Sequence, residues 1–494
     1  MDALKKLGCS VNSNVSGGLS VTSPDSGAVI ATLEVDTATT LNEKVTRAKI
    51  AQEKFSQLTR EERARVVEAY AAAMKTHRVL LAEIIHQEAG KTLKEAQGEA
   101  DGSADIMLKT IRDATLPDLG NMSRVKERKP VGVVGLITSF NFPMAVAHWT
   151  MGAAFLAGNS VVWKPSEKTP LSALACKAVF DAAVPEHADL FQVIIGMRDV
   201  GEALVAHEGV DMISATGSVA MGQGIKATLA KKKNNRVPPI LELGGNNGVI
   251  ISDKMTDAHL EFTVKAIMGS FLGTTGQRCT NTRRVIVHVS QLEKTVALFT
   301  AQIETFLSAA AKDAAFDAAN DMGYAALIDK DAFERFEAAK KQVVAEGGKI
   351  VLGTRLWTNE KPEAYHVQPA LAVMPTQTNI MHKETFAPLL FIAPYKNFDE
   401  AITMLNAPEN AGLVAGIYTL SQKEADQFAR TCTAGHALIN APKGTGTPAH
   451  GMGFGGNKHS GCGEILNSAD PLQAFTRADT FTRIVQNKDI ALNA

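Results

Sequence analysis

Cysteine is sparse here, and its placement excludes more than its number does. The five thiols stand at positions 9, 176, 279, 432 and 462, with no CxxC pair and no metal-like grouping with histidine. Neither a disulfide framework nor a zinc site is indicated, so no metal is expected and a reducing, cytoplasmic setting is. A surplus of either charge is also missing: Lys+Arg number 51 and Asp+Glu 52, for a net charge of −1. Nucleic acid and lipid surfaces call for an extended basic face, so neither is expected as a partner, and a small molecule becomes the default. Long apolar runs are absent too. The longest, residues 144–158, is interrupted by His148 and is short of the roughly 20 residues that span a bilayer. The first ten residues carry Asp2, Lys5 and Lys6 with no apolar core after them, so no export signal is expected. Repeats, low-complexity tracts and flexible linkers are not seen. At 494 residues, 45% hydrophobic and 21% charged, the chain is expected to be soluble and to need two large domains.

The first hundred residues read as helices. Thr59-Arg-Glu-Glu62 is a capping box, followed by amphipathic runs over 64–74 and 80–88 and a break at Gly90-Lys91. After Pro130 the pattern becomes short, nearly continuous apolar strands alternating with helices, as expected where helices cover both faces of a parallel sheet. Strands are predicted at 131–138, 160–163, 191–196 and 210–214, with helices at 144–157, 171–183 and 200–207. Parallel βαβ units and a dinucleotide-binding sheet are the economical inference. A second α/β series follows, with strands at 248–252, 285–289, 349–352, 413–418 and 437–440 and a helix over 330–346. Gly244-Gly245 reads as a tight turn between the two domains.

Several short motifs carry chemistry. Cys279 sits in Gly-Thr-Thr-Gly-Gln-Arg-Cys-Thr, residues 273–280, and Glu242 in Leu-Glu-Leu-Gly-Gly. A thiol in a loop with few bulky side chains, paired with a carboxylate in another glycine-flanked loop, suits a nucleophile with its own general base. That points to acyl chemistry. In Phe140-Asn141-Phe142-Pro143 an amide held between aromatic neighbours would donate to a developing oxyanion, or merely cap the helix that starts at Pro143. Lys164-Pro165-Ser166-Glu167 follows a predicted strand, where the ammonium and carboxylate would bind a ribose diol and Glu167 would repel a 2′-phosphate; a solvated turn is the plain alternative. Gly217-Ser218 opens the helix 219–229 and offers free N–H groups to a pyrophosphate, or an ordinary N-cap, since the turn does not read GxGxxG. His382–Pro388 sets Glu384 and Phe386 two residues apart, suited to gripping a ribose and resting a flat ring. Glycines at 451, 453, 455, 456, 461 and 463 mark a sharply bending loop.

Taken together and in order, FNFP, WKPSE, ATGS, LELGG, GQRCT and ETFAP resemble the aldehyde dehydrogenase superfamily over essentially the whole chain. The motifs LELGGNN, GQRCT with Arg283-Arg284, and FGGNKHSG are most similar to its antiquitin type, the α-aminoadipic semialdehyde dehydrogenases. The resemblance implies an α/β fold of two Rossmann-like domains, an NAD-binding one over 1–115 and 131–244 and a catalytic one over 245–457. It also implies a small β element for oligomerisation over 116–130 and 474–494, with a hairpin near 116–129, a strand near 480–486, and a homodimer or homotetramer. Cys279 would be the thiolate nucleophile, Glu242 the base for the deacylating water, and Asn141 with the Cys279 N–H the oxyanion hole. Lys164 and Glu167 would hold the adenosine ribose, Gly217 and Ser218 the pyrophosphate, and Glu384 the nicotinamide ribose. Phe386, Thr138 and Phe140 would border the cofactor. Arg278 and Phe142 would face the substrate, Arg278 pairing with a distal carboxylate or serving as a hydrogen-bonder behind the catalytic loop. The implied reaction oxidises a small aldehyde or ω-semialdehyde with NAD in preference to NADP. Transfer of the thioester to coenzyme A, or a non-catalytic NAD-binding role, are the alternatives the sequence leaves open.

Overall fold

The computed structural model describes residues 2–9, 15–114, 124–233, 237–312, 325–446, 454–462 and 472–482. After a short helix, Asp2–Lys6, comes an antiparallel hairpin of β1 (Leu19–Thr22) and β2 (Val29–Leu33), which corrects the expectation of an all-helical first hundred residues. These strands are four and five residues long and bury only Val21, Ala31 and Leu33, too short an alternation to stand out. Four helices follow: Ala38–Phe55, Arg60–Thr76, Arg78–Ala89 and Leu93–Asp113. The expected capping box is formed, with the Glu62 N–H donating to Thr59 Oγ1 at 3.3 Å and the Thr59 N–H donating to Glu62 Oε2 at 2.7 Å. Gly90, at φ 68°, ends the third helix in the left-handed region.

After β3 (Arg124–Pro130) come β4 (Val133–Ile137), β5 (Ser160–Lys164), β6 (Phe191–Val193), β7 (Met212–Thr216) and β8 (Ile240–Glu242). The last five form one parallel sheet in the order β6-β5-β4-β7-β8. In order of appearance that is 3-2-1-4-5, with a switch point between β4 and β7. Helices Ala145–Leu156, Pro170–Ala183, Arg198–Ala206 and Val219–Leu229 connect the strands. Every residue of β4 and β5 is buried, which explains their near-continuous apolar sequences.

The second sheet holds β9 (Asn247–Ile251), β10 (Thr282–His288), β11 (Lys349–Leu352), β12 (Ala370–Val373), β13 (Leu389–Tyr395), β14 (Val414–Tyr418) and β15 (His436–Ile439). Their order is β11-β12-β13-β10-β9-β14-β15, parallel except for β11 at one edge. Strands β8, β12 and β13 were not expected: β8 has three residues, and Pro394 lies inside β13 where a ladder donor is normally required. A separate two-stranded ribbon pairs β16 (Thr476–Thr482) antiparallel with β3. The C-terminal strand therefore begins four residues before the expected 480, because Phe475, 1% exposed, anchors it. The Phe475 carbonyl accepts from the Val131 N–H at 3.3 Å and from Asn159 Nδ2 at 3.0 Å. The rest of the expected element, 116–123 and 483–494, lies outside the described residues. Among the described residues no helix is long and apolar enough to cross a membrane, and no group of His, Cys, Asp and Glu could hold a metal ion.

Candidate active site

Cys279 lies in the loop between helix Asp257–Leu272 and β10, half-buried. The approach to it is backbone-strained: Thr274 and Thr275 both adopt left-handed conformations, at φ 50° and 53°. For a β-branched residue this costs on the order of 1–2 kcal/mol. Contacts from elsewhere hold the conformation, since the Thr274 N–H donates to Glu95 Oε1 at 3.0 Å and Thr275 Oγ1 donates to the Ala325 carbonyl at 2.8 Å. Gly276 follows at φ +71°, where a Cβ would come within 2.5 Å of the Ala387 backbone. The Cys279 carbonyl accepts from Asn247 Nδ2 at 2.7 Å, and a side chain at Gly245 would press to 2.4 Å from that same oxygen. Burial, followed by the carboxylates of Glu384 and Glu242, pushes the thiol up to about 12, with Arg283 pulling the other way.

Glu242 ends β8, 6% exposed, and among the described residues neither carboxylate oxygen has a hydrogen-bond partner. Burial holds its pKa well above the ordinary carboxylate range. The segment after it is tied down by Ser460, whose carbonyl accepts from the Leu243 N–H at 2.7 Å and whose Oγ donates to the Gly244 carbonyl at 2.7 Å. Of the glycine-rich loop, Gly456 and Gly461 pack against Ser460 and the Leu241 carbonyl, so close packing explains them; positions 451, 453 and 463 are outside the described residues.

Asn141, 4% exposed, follows β4, and its Oδ1 accepts from Ser139 Oγ at 2.7 Å. That bond fixes the amide plane and leaves Nδ2 without a partner among the described residues. The turn is backed by a buried ion pair not foreseen from the sequence. Lys91 Nζ lies 2.7 Å from Glu99 Oε2, each side chain 1% exposed, and 3.8 Å from the centroid of the Phe142 ring. Glu99 Oε1 accepts from the N–H groups of Met144 and Ala145 at 2.8 and 3.0 Å, where the next helix starts. The usable signal was a carboxylate on the same face as the small buried residues Ala96, Ala100 and Ser103. Arg278 is already engaged: Nη2 donates to Glu95 Oε1 at 2.7 Å, Nε to Thr274 Oγ1 at 2.9 Å, and its guanidinium lies 5.3 Å from the Phe142 ring.

The other predicted residues line the carboxyl ends of the first sheet or the facing loop. Lys164 ends β5, 5% exposed, with Nζ 3.4 Å from Glu167 Oε2; burial lowers its pKa while Glu167 opposes. Ser218 Oγ accepts from the Met221 N–H at 3.1 Å, so it does cap the helix Val219–Leu229, and it does so beside the β4/β7 switch point with Gly217. Thr138 Oγ1 accepts from Trp163 Nε1 at 2.8 Å. Across the cleft, Glu384 Oε1 accepts from the Gly245 N–H at 3.2 Å, and burial pushes that carboxyl up to about 7. Phe386, at φ 52°, meets Phe140 edge-on with centroids 5.9 Å apart. A switch point with a helix N-terminus at Ser218, Lys164 and Glu167 on one side and Glu384 on the facing loop fits a dinucleotide.

The model of the aldehyde dehydrogenase family matches residues 11–481. The α-aminoadipic semialdehyde dehydrogenase of Bos taurus is 29% identical over 461 residues, covering 91% of this chain and 82% of its own. The betaine aldehyde dehydrogenase of Rhizobium etli is 31% identical over 468 residues, covering 92% of each. A crystal structure of betaine aldehyde dehydrogenase from Staphylococcus aureus, a point mutant in complex with NAD+, superposes with a TM-score of 0.82 at 26% identity, over 94% of this chain and 93% of that one. The chain belongs to the aldehyde dehydrogenase family, oxidoreductases that oxidise aldehydes with NAD(P).

Proposed function

We propose that this chain oxidises a small aldehyde or ω-semialdehyde to its carboxylate through a thioester on Cys279, with NAD as the preferred cofactor. The observation that carries this reading is Glu242: a buried carboxyl with both oxygens unpartnered among the described residues, close enough to oppose ionisation of a half-exposed thiol. Such a group costs stability and is retained where a proton has to be moved.

Cys279 reacts as the thiolate, its proton passing to water, and the elevated pKa of Glu242 suits it to accept a proton in the later hydrolysis. Sulfur then bonds to the aldehyde carbon as the C=O π pair moves to oxygen. Asn141 Nδ2 and the Cys279 N–H donate to that oxyanion, the amide contributing roughly 3 kcal/mol if preorganised. The nicotinamide, when bound, supplies the acceptor for the hydride that leaves the tetrahedral carbon. Water then loses a proton to Glu242 while its oxygen bonds to the acyl carbon; the C–S bond breaks and Cys279 departs as thiolate. Gly217, Ser218 and Lys164 would hold the cofactor's phosphates and ribose, Glu384 its second ribose, and Thr138, Phe140 and Phe386 would border it. Glu167 disfavours a 2′-phosphate, hence NAD. The bonds of Arg278 to Glu95 and Thr274 support its role as a hydrogen-bonder behind the catalytic loop, and the terminal carboxylate of an ω-semialdehyde would have to displace Glu95 to reach it. The β3/β16 ribbon stands as an isolated pair, a marginal arrangement alone, which supports a homodimer or homotetramer that extends it.

A panel of aldehydes graded by chain length and terminal charge, followed by NADH absorbance, tests the reading. Activity with at least one member is expected, and Cys279→Ala should lower it by at least about 10³-fold. Retained turnover in that variant would remove the nucleophile.

A further inference from the structure

Arg283, on β10, is 1% exposed and touches two adjoining loops, residues 273–280 and 382–388. Its Nη1 donates to the carbonyls of Gly276 at 2.5 Å and Ala387 at 3.0 Å. Its Nη2 donates to the Arg278 carbonyl at 3.0 Å and lies 3.9 Å from Glu384 Oε1. The guanidinium sits 5.5 Å from the centroid of the Phe386 ring. One planar fork therefore holds two carbonyls of the nucleophile loop, directly before Cys279, and a carbonyl of the adjoining loop, and lies beside that loop's carboxylate and ring. The loops also meet without a gap, since the missing Cβ of Gly276 leaves just enough room for the Ala387 backbone.

We propose that Arg283 is a positioning residue that sets the spacing between the nucleophile loop and the loop bearing Glu384 and Phe386. The inference rests on Cys279 being the nucleophile. Lysine cannot replace the fork, because an ammonium is a point charge that does not bind several carbonyls in one plane.

The test measures the KM for NAD and the KM for the aldehyde in Arg283→Lys and Arg283→Met, beside thermal melts. Neither variant keeps the fork, so the KM for NAD should rise by about fivefold or more while the KM for the aldehyde stays within about twofold. An unchanged KM for NAD, or an equal rise in both KM values, overturns the proposal. If Arg283→Met does not fold, Arg283→Lys decides. An active Cys279→Ala would end the nucleophile assignment separately.

Discussion

The helical wall behind Asn141 and the cleft in front of it treat buried carboxylates in opposite ways. In the wall, Glu99 is bonded to Lys91 and to the first N–H groups of one helix, while Glu88 accepts from the N–H groups of Leu171 and Ser172, both at 2.7 Å. In the cleft, the Glu242 carboxylate is buried too, with no hydrogen-bond partner among the described residues. A satisfied buried carboxylate braces helix ends, whereas an unsatisfied one is held where substrate or water completes it. The wall is scaffold and the cleft is chemistry, and Asn141 stands on the boundary between them.

Breaking the wall should have the largest effect. Lys91→Met leaves Glu99 charged and unpaired in the interior, with an expected loss of about 3–5 kcal/mol in stability, measured by urea unfolding. Adding Glu99→Gln should recover part of that loss, and no recovery would mean that the pair is not the unit described. Next, Asn141→Ala should leave stability nearly unchanged but lower kcat by about 10²-fold with little change in KM. Steady-state kinetics beside a thermal melt would separate the two, and an equal loss in both would move Asn141 into the scaffold. The smallest expected effect is at Glu167. Glu167→Ser should shift the ratio of kcat/KM for NAD over NADP by about tenfold towards NADP, about 1.4 kcal/mol. A native preference for NADP would contradict the assignment.

How much of this was legible in the sequence follows from the range of the interactions involved. Strands β4, β5 and β7 and the helix Val219–Leu229 were readable because their signal is local: apolar runs buried on both faces, and an N-cap at Ser218. The hairpin β1/β2 and the three-residue β8 were not, because their strands are too short for periodicity to show. At the site, residue types and order pointed to Cys279, Glu242 and Asn141, but the partners did not show. Glu95 with Arg278, Lys91 with Glu99 and Arg283 with Ala387 depend on which elements pack together. The same holds for the left-handed backbone at Thr274 and Thr275, which no local preference of threonine would suggest.

The pairing of Cys279 with Glu242 is tested most directly by a single-turnover experiment on Glu242→Gln, with NADH absorbance and intact-protein mass followed together. The account predicts a burst of about one NADH per site, then a stall with the acyl group retained on residue 279. Loss of the burst along with the steady state, and no acyl adduct, would contradict it.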